Sequence, residues 1–519
     1  MTANLSDNHA LVVARYHEIT DDARTSTVEY QHARGKLTAR ERIALLADRD
    51  SFCEFGGLAR PIEPGSNGEA VIADGMITGT AEIDGRPVVL IVSDFTAAGG
   101  TNGALGGEKV RRCWELAALR GTPVIMLLEG GGHRIQEGLD SRQFGGGFDL
   151  IELETRLSGW VPLVAAMLGP AFGGPAVLAS LCDYVVAVRG LATIGMAPPT
   201  LVQAATGERI SAEELGGADV HASFGTVDVV ADSEADAMEA IRRYLSCMPS
   251  NAAADLPIQP GCPPEAIAAA RIDSVVPTEF RRAYDMHDVI SGLVDAGSVV
   301  ELKCSYAANM ITCFGRLGGR LIGVVANQPL VLAGVLDSLA CEKAGRFVSL
   351  CDAYGIALLT LIDLPGFAVG SAAERSGLAR RSGKLIYELG ISTIPRFTVV
   401  VRKGYGGGYA AMSGGRTFHP ELCLAWPHAE TAVMPVEAAV ELVYRREIET
   451  AEDPAARRAE LIAKFKGQLD AFRVAEAFGV DAVVAPSKTR SMLVDAVRAV
   501  PRHRMMVTTT PQKHGVAPI

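Results

Sequence analysis

The chain is most easily narrowed by what it does not contain. Its ten cysteines, Cys53, Cys113, Cys182, Cys247, Cys262, Cys304, Cys313, Cys341, Cys351 and Cys423, form no CxxC or CxH pairing. Zinc-site spacing is therefore absent, no metal is expected, and scattered single thiols suit a reducing compartment. No block of five or more Lys and Arg occurs and the formal net charge is −11, which excludes electrostatic attraction to nucleic acid or to an anionic membrane surface. The most apolar stretch, 321–336, is interrupted by Asn327, Gln328 and Pro329 and is too short to span a bilayer. The first 26 residues carry acidic groups early and no apolar core, so they read as neither signal nor transit peptide. These absences imply a soluble, cytoplasmic protein whose partners are small molecules and other proteins.

What is present is a large apolar fraction, 48% over 519 residues, enough for two to four domains with full cores. Short β-rich runs such as 86–92 and 123–128 alternate with helical stretches such as 107–120, the pattern of a buried parallel sheet. Sliding the chain against itself gives a stronger signal. Met76-Ile77-Thr78 recurs as Met310-Ile311-Thr312, an offset of 234 positions. The same offset maps Gly85-Arg86 on Gly319-Arg320, Gly100 on Gly334, Glu108-Lys109 on Glu342-Lys343, Arg112 on Arg346, Glu129 on Asp363 and Gly173-Gly174 on Gly407-Gly408, with no gap. A constant register over so many positions predicts a duplicated α/β domain. The segment 248–264, with five prolines, reads as the linker between the copies, so the expected domains are 1–260 and 261–519. The stretch 37–46 reads as a capped helix, 488–498 as a terminal helix, and 506–519 as a loose tail.

Each copy carries a glycine pair at the same point. The first lies in GPAFGGPAV (169–177), the second in KGYGGGYAA (403–411). Glycines let backbone approach a ligand closely, and amides at a helix start have no intrahelical acceptor, so such a turn can donate to an oxyanion. A tight turn or close helix packing would explain either pair alone. Two pairs at equivalent points suggest two oxyanion holes and a reaction with two enolate-like intermediates.

Ala171-Phe172-Gly173-Gly174 followed by Cys182-Asp183 resembles the oxyanion loop of the crotonase superfamily. The acidic residue that crotonase hydratases place three positions later is Val177 here, and the 234 offset makes Ala411 its counterpart, which argues against hydration or isomerisation. Across nearly its whole length the chain more closely resembles the β, carboxyltransferase, subunits of propionyl-CoA and related acyl-CoA carboxylases. The matching stretches include GKLTARERI (35–43), RIQEG (134–138), ATGERISAEELGGA (205–218), GVVANQPLVLAG (323–334), DLPGF (363–367), KLIY (384–387) and AWP (425–427). The resemblance implies two tandem crotonase-like (ClpP/crotonase) β-β-α superhelix domains. The N-terminal one would hold the acyl-CoA, and the C-terminal one of a neighbouring subunit would hold carboxybiotin. It implies that Gly173 and Gly174 stabilise the thioester enolate, that Gly407 and Gly408 stabilise the biotin ureido oxygen, and that biotin's freed nitrogen takes the α-proton. Gly131, Gly132 and Arg134 become candidate CoA contacts, and Tyr409 and Ala410 candidate substrate contacts. Lys109, Arg111 and Arg112 could meet CoA phosphates, but a solvated helix face is the preferred reading of all three, and a lone His133 is given no catalytic role.

Several positions depart from that family. Pro175 follows the first glycine pair, MPVEAA (434–439) stands where Met-Gly-x-Glu-Gly-Ala is usual, and Ala410 occupies a place where propionyl-type enzymes often carry Asp and acetyl-type ones Ile. The smaller Ala410 implies a wider acyl pocket. Neither an Ala-Met-Lys-Met biotinylation site nor a biotin carboxylase ATP-binding half is present. The resemblance therefore implies a separate biotinylated biotin carboxylase or carrier subunit and a homo-oligomer, a hexamer built as a dimer of trimers. A biotin-dependent acyl-CoA decarboxylase subunit and a non-catalytic carboxyltransferase-like scaffold are the competing readings.

Overall fold

The computed structural model describes residues 5–61, 71–139, 141, 145 and 149–501; the tail expected at 506–519 lies outside them. The chain divides into two compact units, Met1–Asp255 and Leu256–Ile519, with the division falling inside the proline-rich segment. Each unit is built on one eight-stranded sheet.

In the first unit the sheet order is β1 (Cys53–Phe55), β2 (Met76–Ile83), β3 (Arg86–Ser93), β4 (Val124–Gly130), β5 (Leu163–Phe172), β6 (Tyr184–Val188) and β8 (Val229–Ala231), with β7 (Thr193–Gly195) paired to β5. The β2–β3 hairpin closes through Asp84-Gly85, both with positive φ, the turn chemistry that suits the twist of paired strands. From β3 to β8 the pairing is parallel. Residues of both parities are buried, Val89 and Ile91 on one face and Leu90 and Val92 on the other, as a sheet covered on both sides requires. Helix α1 (Ala39–Leu46) starts at a Thr38 capping box with Glu41. Helix α2 (Ala104–Arg120) contributes Val110, Cys113, Trp114 and Ala117 to the core, joined by Leu157 of α3 (Asp149–Leu157). The short α4 (Gly174–Ser180) follows β5, and α5 (Glu234–Cys247) closes the unit, its Tyr244 stacked on Tyr184 at 4.4 Å.

The second unit repeats the plan with β9 (Val300–Leu302), β10 (Met310–Leu317), β11 (Arg320–Asn327), β12 (Leu358–Leu364), β13 (Arg396–Tyr405), β14 (Leu422–Ala425) and β16 (Ala482–Val483), and with β15 (Glu430–Ala432) on β13. Its helices include α6 (Met286–Leu293), α7 (Ser338–Tyr354), α8 (Gly383–Ile391), α9 (Gly406–Ala411) and α10 (Pro486–Ala499). Helices α2 and α7 both end on a left-handed glycine, Gly121 and Gly355, which satisfies the last carbonyls without a Cβ clash.

The duplication extends to buried polar contacts. The Lys109 ammonium donates to the carbonyls of Ala73 and Met76, and Lys343 donates to those of Ala307 and Met310. Both lysines are buried, and desolvation pushes both down to about 8. Lys109 lies on no solvated face: through the carbonyls of Ala73 and Met76 its ammonium staples a helix to its sheet. Arg112 is exposed and stands over the Phe55 ring at 5.7 Å.

The offset of 234 does not hold throughout. It fits β2, β3, α2 and β4, but β5 and β13 differ by 233, as do their registers against β4 and β12: Val124 pairs with Leu163, and Leu358 with Arg396. The connection into β13 is one residue shorter, so the gapless alignment is corrected beyond β4. No helix among the described residues is long and apolar enough to cross a membrane.

Glu154 of α3 is wholly buried and neither of its carboxyl oxygens has a hydrogen-bond partner among the described residues. Burial pushes its carboxyl up to about 8, so it is protonated at neutral pH. Below the ordinary glutamate range both folded and unfolded forms hold the proton. As pH rises towards 8 only the unfolded chain releases it, and stability is lost over that window. Glu154→Gln is expected to raise the thermal unfolding midpoint at pH 8 and to leave it nearly unchanged at pH 4.5; an equal change at both values would contradict this assignment.

Candidate active site

Beyond β4 the chain turns through Gly130, Gly131 and Gly132, with φ +111° at Gly130 and +76° at Gly132. Gly130 has to be glycine, since a Cβ there would sit 2.7 Å from the carbonyl oxygens of Gly99 and Gly100. A parallel bridge holds the loop: the Asn102 amide donates to Gly132 O at 2.9 Å, and the Arg134 amide to Asn102 O at 2.8 Å. The Arg134 guanidinium is buried against Asp74, 2.5 Å away, and against Glu137. Asp74 also accepts from the amides of Gly103 and Gly106, 3.1 and 2.7 Å, at the start of α2. Arg134 thus forms a strut between the glycine loop and α2: Asp74 and Glu137 hold its two terminal nitrogens, while its buried Nε has no partner among the described residues.

The second element of the site is the turn from β5 into α4. Gly173 takes φ +70°, and its amide donates to Gly195 O at 2.9 Å. That commitment removes Gly173 as an oxyanion donor in this conformation; its part is the left-handed bend itself. Gly174 is exposed, its amide has no partner among the described residues, and Pro175 after it has no N–H. Gly132 lies against this amide: a Cβ on Gly132 would fall 3.1 Å from Gly174 N.

Below the loops sits a buried ion cluster. Glu129, the penultimate residue of β4, meets Arg42 at 2.7 Å and also Lys36, and Arg42 reaches Glu234 at 2.7 Å. Desolvation and the neighbouring Arg42 push Lys36 down to about 8. Gly169 of β5 passes directly over the carboxylate, where a Cβ would lie 2.4 Å from Glu129 Oε1.

The second unit repeats this construction. The Leu336 amide donates to Gly366 O at 3.0 Å and the Ala368 amide to Leu336 O at 2.8 Å. Asp363 pairs with Arg402 at 3.0 Å and Lys403 at 3.6 Å. Gly406 takes φ +62°, as Gly173 does, Gly407 is exposed as Gly174 is, and Gly408 is buried as Pro175 is. The equivalent pairs are thus Gly173-Gly174 and Gly406-Gly407. Sequence could not separate this register from the alternative, since 406–408 is a run of three glycines. Gly408 is a packing position: a Cβ there would lie 2.5 Å from Leu364 Cδ1 and 3.2 Å from Gly366 Cα. The Tyr409 ring is turned into the small core beside Gly404 and Gly414. Val177 corresponds to the half-buried Ala410 rather than to Ala411.

In the first unit Gly132, Gly173 and Gly174 line one cavity of about 660 Å³, whereas Gly131 and Arg134 stand outside it. Its wall at Val177 is apolar. An exposed methionine, Met196, 70% accessible, flanks this turn, and Val433, 76% accessible, flanks the one in the second unit. Among the described residues no group of three His, Cys, Asp or Glu could hold a metal ion. What each turn offers chemically is an exposed main-chain donor with no titrating side chain at the position three residues on.

Residues 30–517 match the carboxyl transferase domain. The chain belongs to the carboxyl transferase family. It is similar to the propionyl-CoA carboxylase carboxyltransferase subunit of Haloferax mediterranei, 38% identical over 94% of this chain and 95% of that protein. It is also similar to the methylmalonyl-CoA decarboxylase subunit alpha of Propionigenium modestum, 35% identical over 95% of each. Among solved structures it resembles transcarboxylase 12S, described as a hexamer assembly with methylmalonyl-coenzyme A and methylmalonic acid bound, at TM-score 0.93 and 35% identity, covering 100% of this chain and 99% of that one. The protein is a carboxyltransferase of the type that serves biotin-dependent acyl-CoA carboxylases, and its two sheets are the tandem crotonase-like domains expected from the sequence.

The strut role of Arg134 has a measurable consequence. Breaking a buried ion pair from one side costs about 3–5 kcal/mol, so Arg134→Gln is expected to lower the thermal unfolding midpoint by several degrees. An unchanged midpoint together with weakened coenzyme A binding would restore Arg134 as a ligand contact.

Proposed function

We propose that this chain transfers CO2 from carboxybiotin, carried by a separate biotinylated biotin carboxylase or carrier subunit, to the α-carbon of an acyl-CoA. The observation that carries the reading is the pair of exposed glycine turns, at Gly174 and Gly407, each backed by a buried ion pair and neither accompanied by an acid or base at Val177 or Ala410. In this mechanism the Gly174 amide donates to the thioester oxygen as the α-carbon becomes enolate-like, and Gly131 and Gly132 supply the backbone surface along which coenzyme A lies. Gly173 sets the bend. In the second unit the Gly407 amide donates to the ureido oxygen, Gly406 sets the bend, and Gly408 lets the turn settle on Gly366. Carboxybiotin supplies the activated CO2 and, once relieved of it, the base for the α-proton. The protein therefore contributes orientation and fixed dipoles rather than a proton carrier. Ala410 leaves room beside this turn for an acyl group bulkier than propionyl.

The two turns meet across copies of the chain, in a hexamer built as a dimer of trimers, so assembly is required for activity. Exposed Met196 and Val433 beside the turns are surfaces that a second copy would cover. The similarity to a decarboxylase subunit supports a second reading, the same transfer run in reverse; it is separated by whether turnover depends on ATP and bicarbonate.

The test is bicarbonate incorporation into acyl-CoA by the complex reconstituted with its biotinylated partner. A side chain at exposed Gly407 covers the amide without entering the core, so Gly407→Val is expected to lower turnover by about 100-fold, the scale of one lost oxyanion donor, with the unfolding midpoint retained. A Gly407→Val complex that carboxylates at the wild-type rate would refute the mechanism.

A further inference from the structure

The cavity at the first glycine turn is larger and more apolar than a two- or three-carbon acyl group requires. Beyond the turn its walls are Met76, Val110, Leu128, Leu150, Val177 and Leu178. Its volume of about 660 Å³ lies within the range of roughly 300–1,000 Å³ that encloses ligand-sized molecules. Polar contributions come from Ser93, Asn102 and His133 and from Glu108 and Arg111 on the first turns of α2. Most of the other lining side chains are hydrocarbon.

The duplication supplies an internal comparison. Gly107 lines the cavity from α2, and among the described residues a Cβ there would meet only Leu150 Cδ1, at 3.7 Å. The equivalent residue of α7 is Cys341, whose side chain is fully buried. Gly103 and Ala104 of the first unit face the same space where the second has Asp337 and Ser338, and Asp337 there caps its helix through the Ala340 amide at 2.8 Å. Glycine inside a helix is the poorest former apart from proline. Gly107 has ordinary helical φ and, among the described residues, no close neighbour that excludes a side chain, so neither backbone geometry nor their packing demands it. Retaining it keeps the space open.

We propose that the acyl chain of the substrate runs from the Gly174 turn into this cavity between α2, α3 and the sheet, and that the substrate class is medium-chain acyl-CoA. This rests on the carboxyltransferase reading and adds the chain length. A saturated chain placed there removes its methylenes from water against methionine, leucine and valine, and each buried methylene strengthens binding. A short acyl group leaves most of the cavity unfilled.

The test is calorimetric titration of the full chain with octanoyl-CoA and with acetyl-CoA, for the wild type and for Gly107→Leu. The wild type is expected to bind octanoyl-CoA at least about tenfold more tightly than acetyl-CoA. In Gly107→Leu, where the new side chain occupies the cavity, that ratio is expected to fall to about one. Equal affinities in the wild type would overturn the proposal whether or not the variant folds, and a ratio preserved in a folded Gly107→Leu would overturn the location. Because the readout is binding by this chain alone, it is separate from the carboxylation assay: a complex that carboxylates acyl-CoA while the chain shows no length preference sinks only this inference.

Discussion

Everything at the site depends on two stretches of backbone approaching where no side chain can stand. Gly132 lies on the amide of Gly174, and Gly366 lies on Gly408, at separations a β-carbon could not tolerate without displacement. The bends that allow this need left-handed residues, Gly132 and Gly173 in one unit, Gly366 and Gly406 in the other. Such turns are soft by themselves, and the surrounding construction makes them rigid. In the first unit the bridge between Asn102 and His133 pins the loop to the start of α2, with Asp74 and Arg134 clamped beneath it. In the second, Leu336 and Phe367 form the same bridge.

A site made of amides has a particular electrostatic logic. Main-chain dipoles do not titrate and need no reorganisation when charge develops on a bound oxygen, which is the condition for strong stabilisation in a site shielded from water. The charged groups lie one layer deeper, as the Glu129 and Asp363 clusters, each compensated by cations at short range. Removing water from those carboxylates is costly, and their retention at the ends of β4 and β12 is understood from what they anchor, the strand ends from which the glycine loops depart.

The two units show how duplication preserves a scaffold while freeing its details. The lysine staples, the glycine helix caps and the bridges recur at one offset. The cation facing the strand-end acid does not: in the first unit it comes from α1 as Arg42, and in the second from the neighbouring strand as Arg402 and Lys403. Sequence similarity tracks the backbone plan more faithfully than it tracks which residue meets a given charge.

The family, the tandem α/β plan and the positions of the glycine turns were legible in the sequence, because each rests on local or repeated chemistry: positive-φ residues, parallel-sheet runs and motifs in a set order. The register after β4 was not, since a triple glycine matches at two offsets, and only strand pairing chose between them. The true position of Lys109, the commitment of Arg134 to two carboxylates and the loss of the Gly173 amide to Gly195 were equally invisible. Each depends on at least one partner 20 to 60 residues away in the chain, Ala73 for Lys109, Asp74 for Arg134 and Gly195 for Gly173, brought within hydrogen-bonding distance only by the fold. Sequence by itself determined which residues could form an amide-lined turn, because backbone conformation is set locally. Tertiary structure alone decided which of those amides remained available, because a hydrogen bond already made within the fold removes the donor from any ligand.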